Sequence, residues 1–376
     1  MSSKTMKGVG VVPKARELRL IDHPEPAITA PNELKVRSIE VGICGTDREI
    51  CTFAYGQGPA GSDYLLLGHE CLGEVVEVGS GVKSFKPGDL VVPSVRRPCG
   101  DPKCVPCREG RQDFCETWNF TERGINQRHG FMTSYWVEEA AYLTPVPAEL
   151  RDVAVMAEPL TVAEKGLAQA WQVQQRVPGW EHHNRDGKGR GHGRTAVVLG
   201  AGPIGLLGAM KLLVEGFKVF VYSRSPKPNF KAELADSIGA TYVSSVKMGP
   251  DDFGQFVGNI DLVYEAVGDG AIAFDLMRVL GINGVYIFTG IPAVQAPIPV
   301  YADNLMRNIV LKNQAIVGTV NASPQAFIDA IRDLGEFKKR WPEALGKLIT
   351  GRHTIDAHRE LLVGKATGIK NVIQFS

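Results

Sequence analysis

Four cysteines fall close together in this chain. Cys99, Cys104, Cys107 and Cys115 are spaced C-x4-C-x2-C-x7-C, in a segment that also carries Pro, Gly, Asp and Lys. Four thiolates on one short loop complete a tetrahedral zinc shell, and a shell closed in this way fixes a loop while leaving no position for substrate. The plainer alternative is free thiols in a reducing compartment. A second metal candidate has to be assembled from distant segments: Cys44 in Gly42-Ile43-Cys44-Gly45-Thr46-Asp47, His69 and Glu70 after Gly68, and Glu158 in Ala157-Glu158-Pro159-Leu160. A catalytic zinc takes about three protein ligands and keeps one position open, so a Cys, a His and a carboxylate would serve. Taken singly, each of these residues also has a structural reading, since a His beside a Glu is often part of a core.

A third chemical element is AVVLGAGPIGL, Ala196 to Leu206. An apolar strand runs into Gly200-Ala201-Gly202-Pro203-Ile204-Gly205, and a helix-compatible run follows. The first glycine allows the turn, the second lets a pyrophosphate approach the backbone, and the third lets the helix pack against its strand. The strand and helix in their required places make this a dinucleotide fingerprint rather than a chance glycine turn. NAD-binding folds of this kind carry an acid at the end of the second strand, for the ribose 2′-hydroxyl. Here that strand, VFVY, ends in Ser223-Arg224-Ser225-Pro226-Lys227. A hydroxyl and a guanidinium donate to a 2′-phosphate where an acid would repel it, so NADP is the expected cofactor. If Arg224 only covers the adenine face, NAD stays usable too.

The elements that must position these groups follow from the pattern around them. At 376 residues the chain exceeds one ordinary core, so two domains are expected. Up to about residue 150, short apolar runs such as Glu33 to Val41, Gly73 to Val78 and Asp89 to Pro93 are broken by turns such as Lys86-Pro87-Gly88-Asp89. That is the texture of an irregular β-rich domain. Ala154 to Val177 reads as helical, ended by Pro178-Gly179, and residues 181–195 read as a polar surface loop. Its His182, His183 and His192 fit a solvated loop better than a metal site. Strands and helices then alternate, with strands at Lys218 to Tyr222, Asp261 to Ala266 and Gly284 to Phe288 and helices at Phe230 to Ile238 and around Ala271 to Val279. This spacing implies a parallel sheet covered by helices on both faces. The expected division is residues 1–160 with 336–376 returning to them, and 161–335 as the nucleotide-binding domain.

Charged residues make up 22% of the chain, hydrophobic ones 44%, and the formal net charge is +1. The balance gives no reason to expect nucleic acid or an anionic membrane as partner. No run of about 18 apolar residues occurs, and the N-terminus lacks the apolar core of a signal peptide, so a cytoplasmic location is expected. All seven cysteines lie in the first third. An odd number of thiols without an export signal argues for metal rather than disulfides. Cys51 and Cys71 read as ordinary buried thiols.

The stretch Gly68-His69-Glu70-x2-Gly73-x5-Gly79-x2-Val82 resembles the zinc-containing alcohol dehydrogenase signature of the medium-chain dehydrogenases. The Cys44 motif, the four-cysteine loop and the fingerprint follow in that family's order. Within it, Cys107 to Met132, AEPLTVAEKG and QQRVPGW resemble the glucose 1-dehydrogenase branch of archaea and some bacteria. The resemblance covers essentially the whole chain. It implies an α/β fold with a GroES-like β-rich catalytic domain and a Rossmann doubly wound parallel-sheet domain. It also implies oxidation of the C1 hydroxyl of glucose to the 1,5-lactone, with hydride passing to NADP.

In that branch the ligands of the catalytic zinc match Cys44, His69 and Glu70, with Glu158 as a further, state-dependent ligand or sugar contact. Thr46 resembles the hydroxyl that starts the proton relay, and Asp47 an orienting residue rather than a base. Glu122, Glu158 and Asn321 are the implied sugar contacts. Phe288, Thr289 and Gly290, with Thr319 and Val320, are expected beside the nicotinamide. Val162 stands where some members carry an Asp, which puts one sugar contact in question. The resemblance further suggests a tetramer. A zinc dehydrogenase of another polyol, sugar or alcohol is the alternative, and a non-catalytic NADPH-binding sensor a more distant one that intact Cys44, His69 and Thr46 argue against.

Overall fold

The computed structural model describes residues 4–180, 188–293 and 296–375. The chain divides into two compact units. The first takes Met1–Thr161, Asn321–Lys338 and Leu348–Ser376, and the second Val162–Val320 and Lys339–Lys347. The return to the first unit thus begins at Asn321 rather than at residue 336, and Lys339–Lys347 stays with the second. Within the first unit, the Pro324–Arg340 helix is tied at Lys338, which donates to Glu149 O and to the Asp152 carboxylate. His182 and His183 lie outside the described residues, and His192 is exposed in a turn before the Thr195–Leu199 strand.

The first unit is built on β-strands. Its largest sheet runs in the order Leu143–Val146, Leu90–Pro93, Glu70–Val78, Glu33–Gly42, Lys370–Gln374, Ile349–His353, and Tyr135–Glu139 also pairs with Glu33–Gly42. The central Glu33–Gly42 strand alternates half-buried and buried positions along ELKVRSIE, as expected when successive side chains point to opposite faces. Leu34, Val36 and Val41 join Val75, Val91, Phe131, Trp136 and Ile373 in the core. A small sheet of Arg96–Arg97, Thr121–Arg123 and Gln127–Arg128 completes this part of the unit.

The second unit carries a six-stranded parallel sheet in the order Thr241–Ser244, Lys218–Ser223, Thr195–Leu199, Leu262–Glu265, Val285–Phe288, Ala315–Gly318. The order reverses at Thr195–Leu199, the topological switch point where ligands of such sheets bind. Strands buried on both faces need apolar residues throughout, and Ala196 to Leu199 and Leu262 to Tyr264 are all buried. The fingerprint glycines make the expected turn. Gly202 precedes the Pro203–Val214 helix, whose first position is Pro, and a Cβ on Gly205 would sit 2.2 Å from Gly200 O. Nothing lies within 4 Å of where a Cβ on Gly202 would project, so the space at the helix N-terminus is open to a phosphate.

Candidate active site

Cys44 ends the segment leaving the Glu33–Gly42 strand and is the N-cap of the Gly45–Ile50 helix. His69 and Glu70 stand at the start of the neighbouring Glu70–Val78 strand, where Gly42 pairs with Glu70. Asp47, fully buried, locks the two segments together. Its Oδ2 accepts the Cys44 N–H at 2.9 Å and its Oδ1 the Gly68 N–H at 3.1 Å. As a result the Cys44 thiol, a His69 ring nitrogen and a Glu70 oxygen come within 4.8 Å of one another.

The donor set fits a zinc ion. His69 Nδ1 is buried without a hydrogen bond, and Asp47 Oδ1 at 3.4 Å is the nearest acid. Burial disfavours a charged imidazole, yet Asp47 and Cys44 overcome it and hold the His69 pKa well above its ordinary value. Surroundings that favour a proton this strongly also favour a divalent cation.

Lys370 completes this cluster and was not visible in the sequence. Its Nζ donates to Glu70 Oε1 at 2.8 Å and Oε2 at 2.6 Å, and to Ile43 O at 3.2 Å. Both side chains are buried. Burial alone would depress the ammonium, but Glu70, with Cys44 and Glu158 nearby, raises its pKa instead. No local signal marked Lys370, a single lysine opening the KNVIQ strand.

Glu158 begins the Ala157–Gln174 helix and lies outside the close trio. It is near enough to interact with it: burial pushes its carboxyl up to about 7, with His69 and Lys370 opposing the shift and Glu70 adding to it. Thr46 is half-buried in the first turn after Cys44.

Glu122 and Asn321 meet, although 199 residues separate them. Asn321 Nδ2 donates to Glu122 Oε1 at 3.1 Å, and Arg96 Nε donates to the same oxygen at 3.0 Å. Arg96 is the register partner of Glu122 in the small sheet, and its guanidinium lies 3.6 Å from the Phe120 ring centroid. The adjacent Arg97 and Arg123 turn to a different partner. Arg97 Nη2 reaches Glu138 Oε2 at 2.5 Å and Arg123 Nε the same oxygen at 2.8 Å, with Arg128 3.8 Å from Oε1. Burial would raise the Glu138 carboxyl, but Arg123, Arg97 and Arg128 hold it at about 2. The ladder that presents Glu122 is therefore anchored from behind by one buried carboxylate. The paired arginines directly after the apolar Leu90 to Val95 run were the only trace of this in the sequence.

The thiols of Cys99, Cys104, Cys107 and Cys115 also converge within 4.8 Å of one another, with Phe120 packed beside them. Backbone N–H groups of Glu116 and Cys107 lower the Cys104 thiol, and Thr117 brings Cys115 down to about 6 against its burial. Burial holds Cys107 up at about 12. Two of the four thiols are thus disposed to lose their protons, which suits a cation that binds thiolates. By contrast Cys51 and Cys71 are buried singly, and burial pushes each thiol up to about 12, as inert core thiols should be.

In the second unit, Ser223 is half-buried at the end of its strand and Arg224 is exposed. The Arg224 carbonyl accepts the Ser244 hydroxyl at 2.9 Å, while its guanidinium has no partner among the described residues. Phe288 and Thr289 stand at the end of the Val285–Phe288 strand, and Thr289 Oγ1 donates to Glu265 O at 2.6 Å. Val320 is half exposed, and its carbonyl accepts Lys165 Nζ at 2.8 Å.

Comparison with known proteins bears on this geometry. Residues 151–375 match the family model for the glucose dehydrogenase C-terminus, and residues 30–148 that for the alcohol dehydrogenase GroES-like domain. The chain is 36% identical to a glucose 1-dehydrogenase of Methanocella arvoryzae over 98% of its length and 99% of the relative's. It is 38% identical to glucose 1-dehydrogenase 2 of Vulcanisaeta moutnovskia, over 98% and 99%. Among solved structures, the Haloferax mediterranei glucose dehydrogenase in complex with NADP, Zn and gluconolactone superposes with a TM-score of 0.86 at 30% identity, covering 99% of each chain.

Proposed function

The chain belongs to the zinc-dependent medium-chain dehydrogenases, in their glucose dehydrogenase branch, and we propose that it oxidises the C1 hydroxyl of D-glucose to glucono-1,5-lactone with NADP. The observation that carries this reading is the buried trio of Cys44, His69 and Glu70 in the same unit as the Glu122–Asn321 pair. A metal donor set and a fixed polar pair are what an anomeric hydroxyl with further hydroxyls on its ring requires. When bound, zinc supplies Lewis acidity at the C1 oxygen and NADP supplies the hydride acceptor.

The chain's own residues do the rest. Cys44 and His69 hold the metal, with Glu70 or Glu158 as the carboxylate ligand. Lys370 keeps Glu70 oriented through hydrogen bonds to both carboxylate oxygens. Thr46 takes the proton of the C1 hydroxyl into a relay toward solvent. Glu122, set by Arg96 and Asn321, and Glu158 receive the sugar hydroxyls; a buried polar group left unmatched is costly, which is how such contacts discriminate among aldoses.

On the cofactor side, the Gly200 to Gly205 turn receives the pyrophosphate and Arg224 with Ser223 the 2′-phosphate. Phe288, Thr289 and Val320 border the nicotinamide. Cys99, Cys104, Cys107 and Cys115 hold a second, structural zinc. Initial rates with glucose, galactose, xylose, sorbitol and ethanol, each with NADP and NAD, test the reading. Glucose with NADP is expected to give the highest kcat/KM, and turnover confined to the open-chain alcohols refutes it.

A tetrameric, cytoplasmic enzyme is part of the same proposal. No helix among the described residues is long and apolar enough to cross a membrane. Exposed Met306, Val310 and Leu311 on the Ala302–Leu311 helix, with Ile316 on the edge strand of the parallel sheet, offer an apolar face for association. Light scattering on the purified protein measures the assembly directly.

A further inference from the structure

Glu265 is the last residue of the Leu262–Glu265 strand, and its side chain is 1% exposed. Oε1 accepts the N–H groups of Val267 and Gly268, both at 2.7 Å, and Oε2 accepts the N–H of Gly290 at 2.9 Å. Its carbonyl meanwhile takes Thr289 N–H at 3.2 Å and Thr289 Oγ1 at 2.6 Å. One residue therefore gathers the loops that leave two adjacent parallel strands, in which Glu265 and Phe288 are register partners. Both loops leave the C-terminal edge of the sheet, where ligands of doubly wound folds bind.

The loops are drawn into direct contact. A Cβ on Gly290 would stand 2.2 Å from Gly268 N and 2.9 Å from Glu265 Oε1. Gly268 itself has φ +70, and its Cβ would meet Ile291 O at 2.8 Å. Packing does not explain why they stay there. Gly268, Gly270 and Gly290, with Phe274, Phe288 and Pro292, line a cavity of about 220 Å3, so the loops are not pressed together from that side. The ties that remain are those of Glu265 itself: its carbonyl holds Thr289, and its carboxylate alone joins the Val267–Gly268 amides to that of Gly290. Three N–H donors arriving from two directions need two acceptor oxygens; an amide would offer one and turn an NH2 toward a donor.

We propose that Glu265 is a positioning residue for the nicotinamide half of the cofactor. It holds the Val267–Gly268 and Thr289–Gly290 loops in their binding arrangement before the cofactor arrives. Being buried, it acts only through the backbone groups it binds. This rests on the functional reading above, which places the nicotinamide beside Phe288 and Thr289.

The test compares wild type, Glu265→Gln and Glu265→Asp by titration with NADPH and with adenosine 2′,5′-bisphosphate, a probe that carries only the adenine half. Loss of the ionic acceptor should weaken NADPH binding to Glu265→Gln on the order of tenfold or more, since hydrogen bonds to a charged group are among the stronger ones. Binding of the bisphosphate should be unchanged, and Glu265→Asp, which keeps the charge, should recover part of the loss. Equal weakening of both probes, or of neither, overturns the proposal.

If Glu265→Gln does not fold, amide hydrogen exchange on the wild type decides the matter. The Val267, Gly268 and Gly290 amides should be protected without cofactor, and exchange at the rate of open loop amides overturns the proposal. A wild type that binds no NADPH would count against the functional reading, while the exchange pattern would still report on the clasp.

Discussion

Glu138 offers the most quantitative handle on how the ladder that carries Glu122 is held. The perturbation is Glu138→Gln, which keeps the shape and removes the charge that Arg97, Arg123 and Arg128 share. In the folded protein the carboxyl lies at about 2, against 4.5 when unperturbed. At about 1.4 kcal/mol per pKa unit this is worth about 3 kcal/mol of stability at neutral pH. The figure agrees in scale with the roughly 3–5 kcal/mol cost of breaking a buried ion pair.

The sign follows from linkage. A carboxyl depressed by folding contributes its full stabilisation above its unfolded pKa and loses it as pH falls toward the folded value. The wild-type advantage over Glu138→Gln should therefore be about 3 kcal/mol at pH 7 and shrink to about 2 kcal/mol by pH 3.5. Urea unfolding of both proteins at matched pH values measures the difference. Because Arg97 adjoins Arg96 and Arg123 adjoins Glu122 in the small sheet, the variant should also show a raised KM for glucose, with NADPH binding unchanged. Equal stability at pH 7, or a difference that does not narrow with acid, would refute the assignment of Glu138 as the ionised anchor.

The other predictions concern the metal, the cofactor and the buried lysine. His69→Ala should abolish glucose oxidation and remove one of two zinc ions per chain by elemental analysis, while NADPH still binds; retained turnover would falsify the metal assignment. Arg224→Ala should raise the KM for NADP by roughly 10- to 100-fold, the worth of charge-assisted hydrogen bonds of about 1.5–3 kcal/mol, and leave the KM for NAD nearly unchanged. Equal losses with both coenzymes would show that Arg224 does not read the phosphate. In zinc-free protein, Lys370→Met should destabilise the fold by about 3–5 kcal/mol, because Glu70 is then left buried with neither lysine nor metal beside it. Adding Glu70→Gln to that variant should restore most of the stability, as judged by urea unfolding; no recovery would mean that the lysine acts through something other than Glu70.

What the linear chain determined by itself were the features whose parts lie close together along it. The Gly200 to Gly205 turn, between a strand and a helix, was readable because backbone conformation and close approach are local demands that few residues meet. The same holds for Cys99 to Cys115, whose four thiols converge within one loop, and for the alternation that marks the parallel sheet. Cys44, His69 and Glu70 were readable as candidates through their motifs, but only the folded chain brought their donor atoms together, through the two hydrogen bonds of Asp47.

Tertiary structure alone decided how buried charge is balanced. Lys370 finds Glu70 across 300 residues, Asn321 finds Glu122 across 199, three arginines share Glu138, and Glu265 turns its carboxylate onto backbone N–H groups. A lysine or glutamate in a strand looks the same in sequence whether it faces water or a partner. Its partner is set by which strands become neighbours, and the cost of leaving it unpaired appears only once water has been excluded.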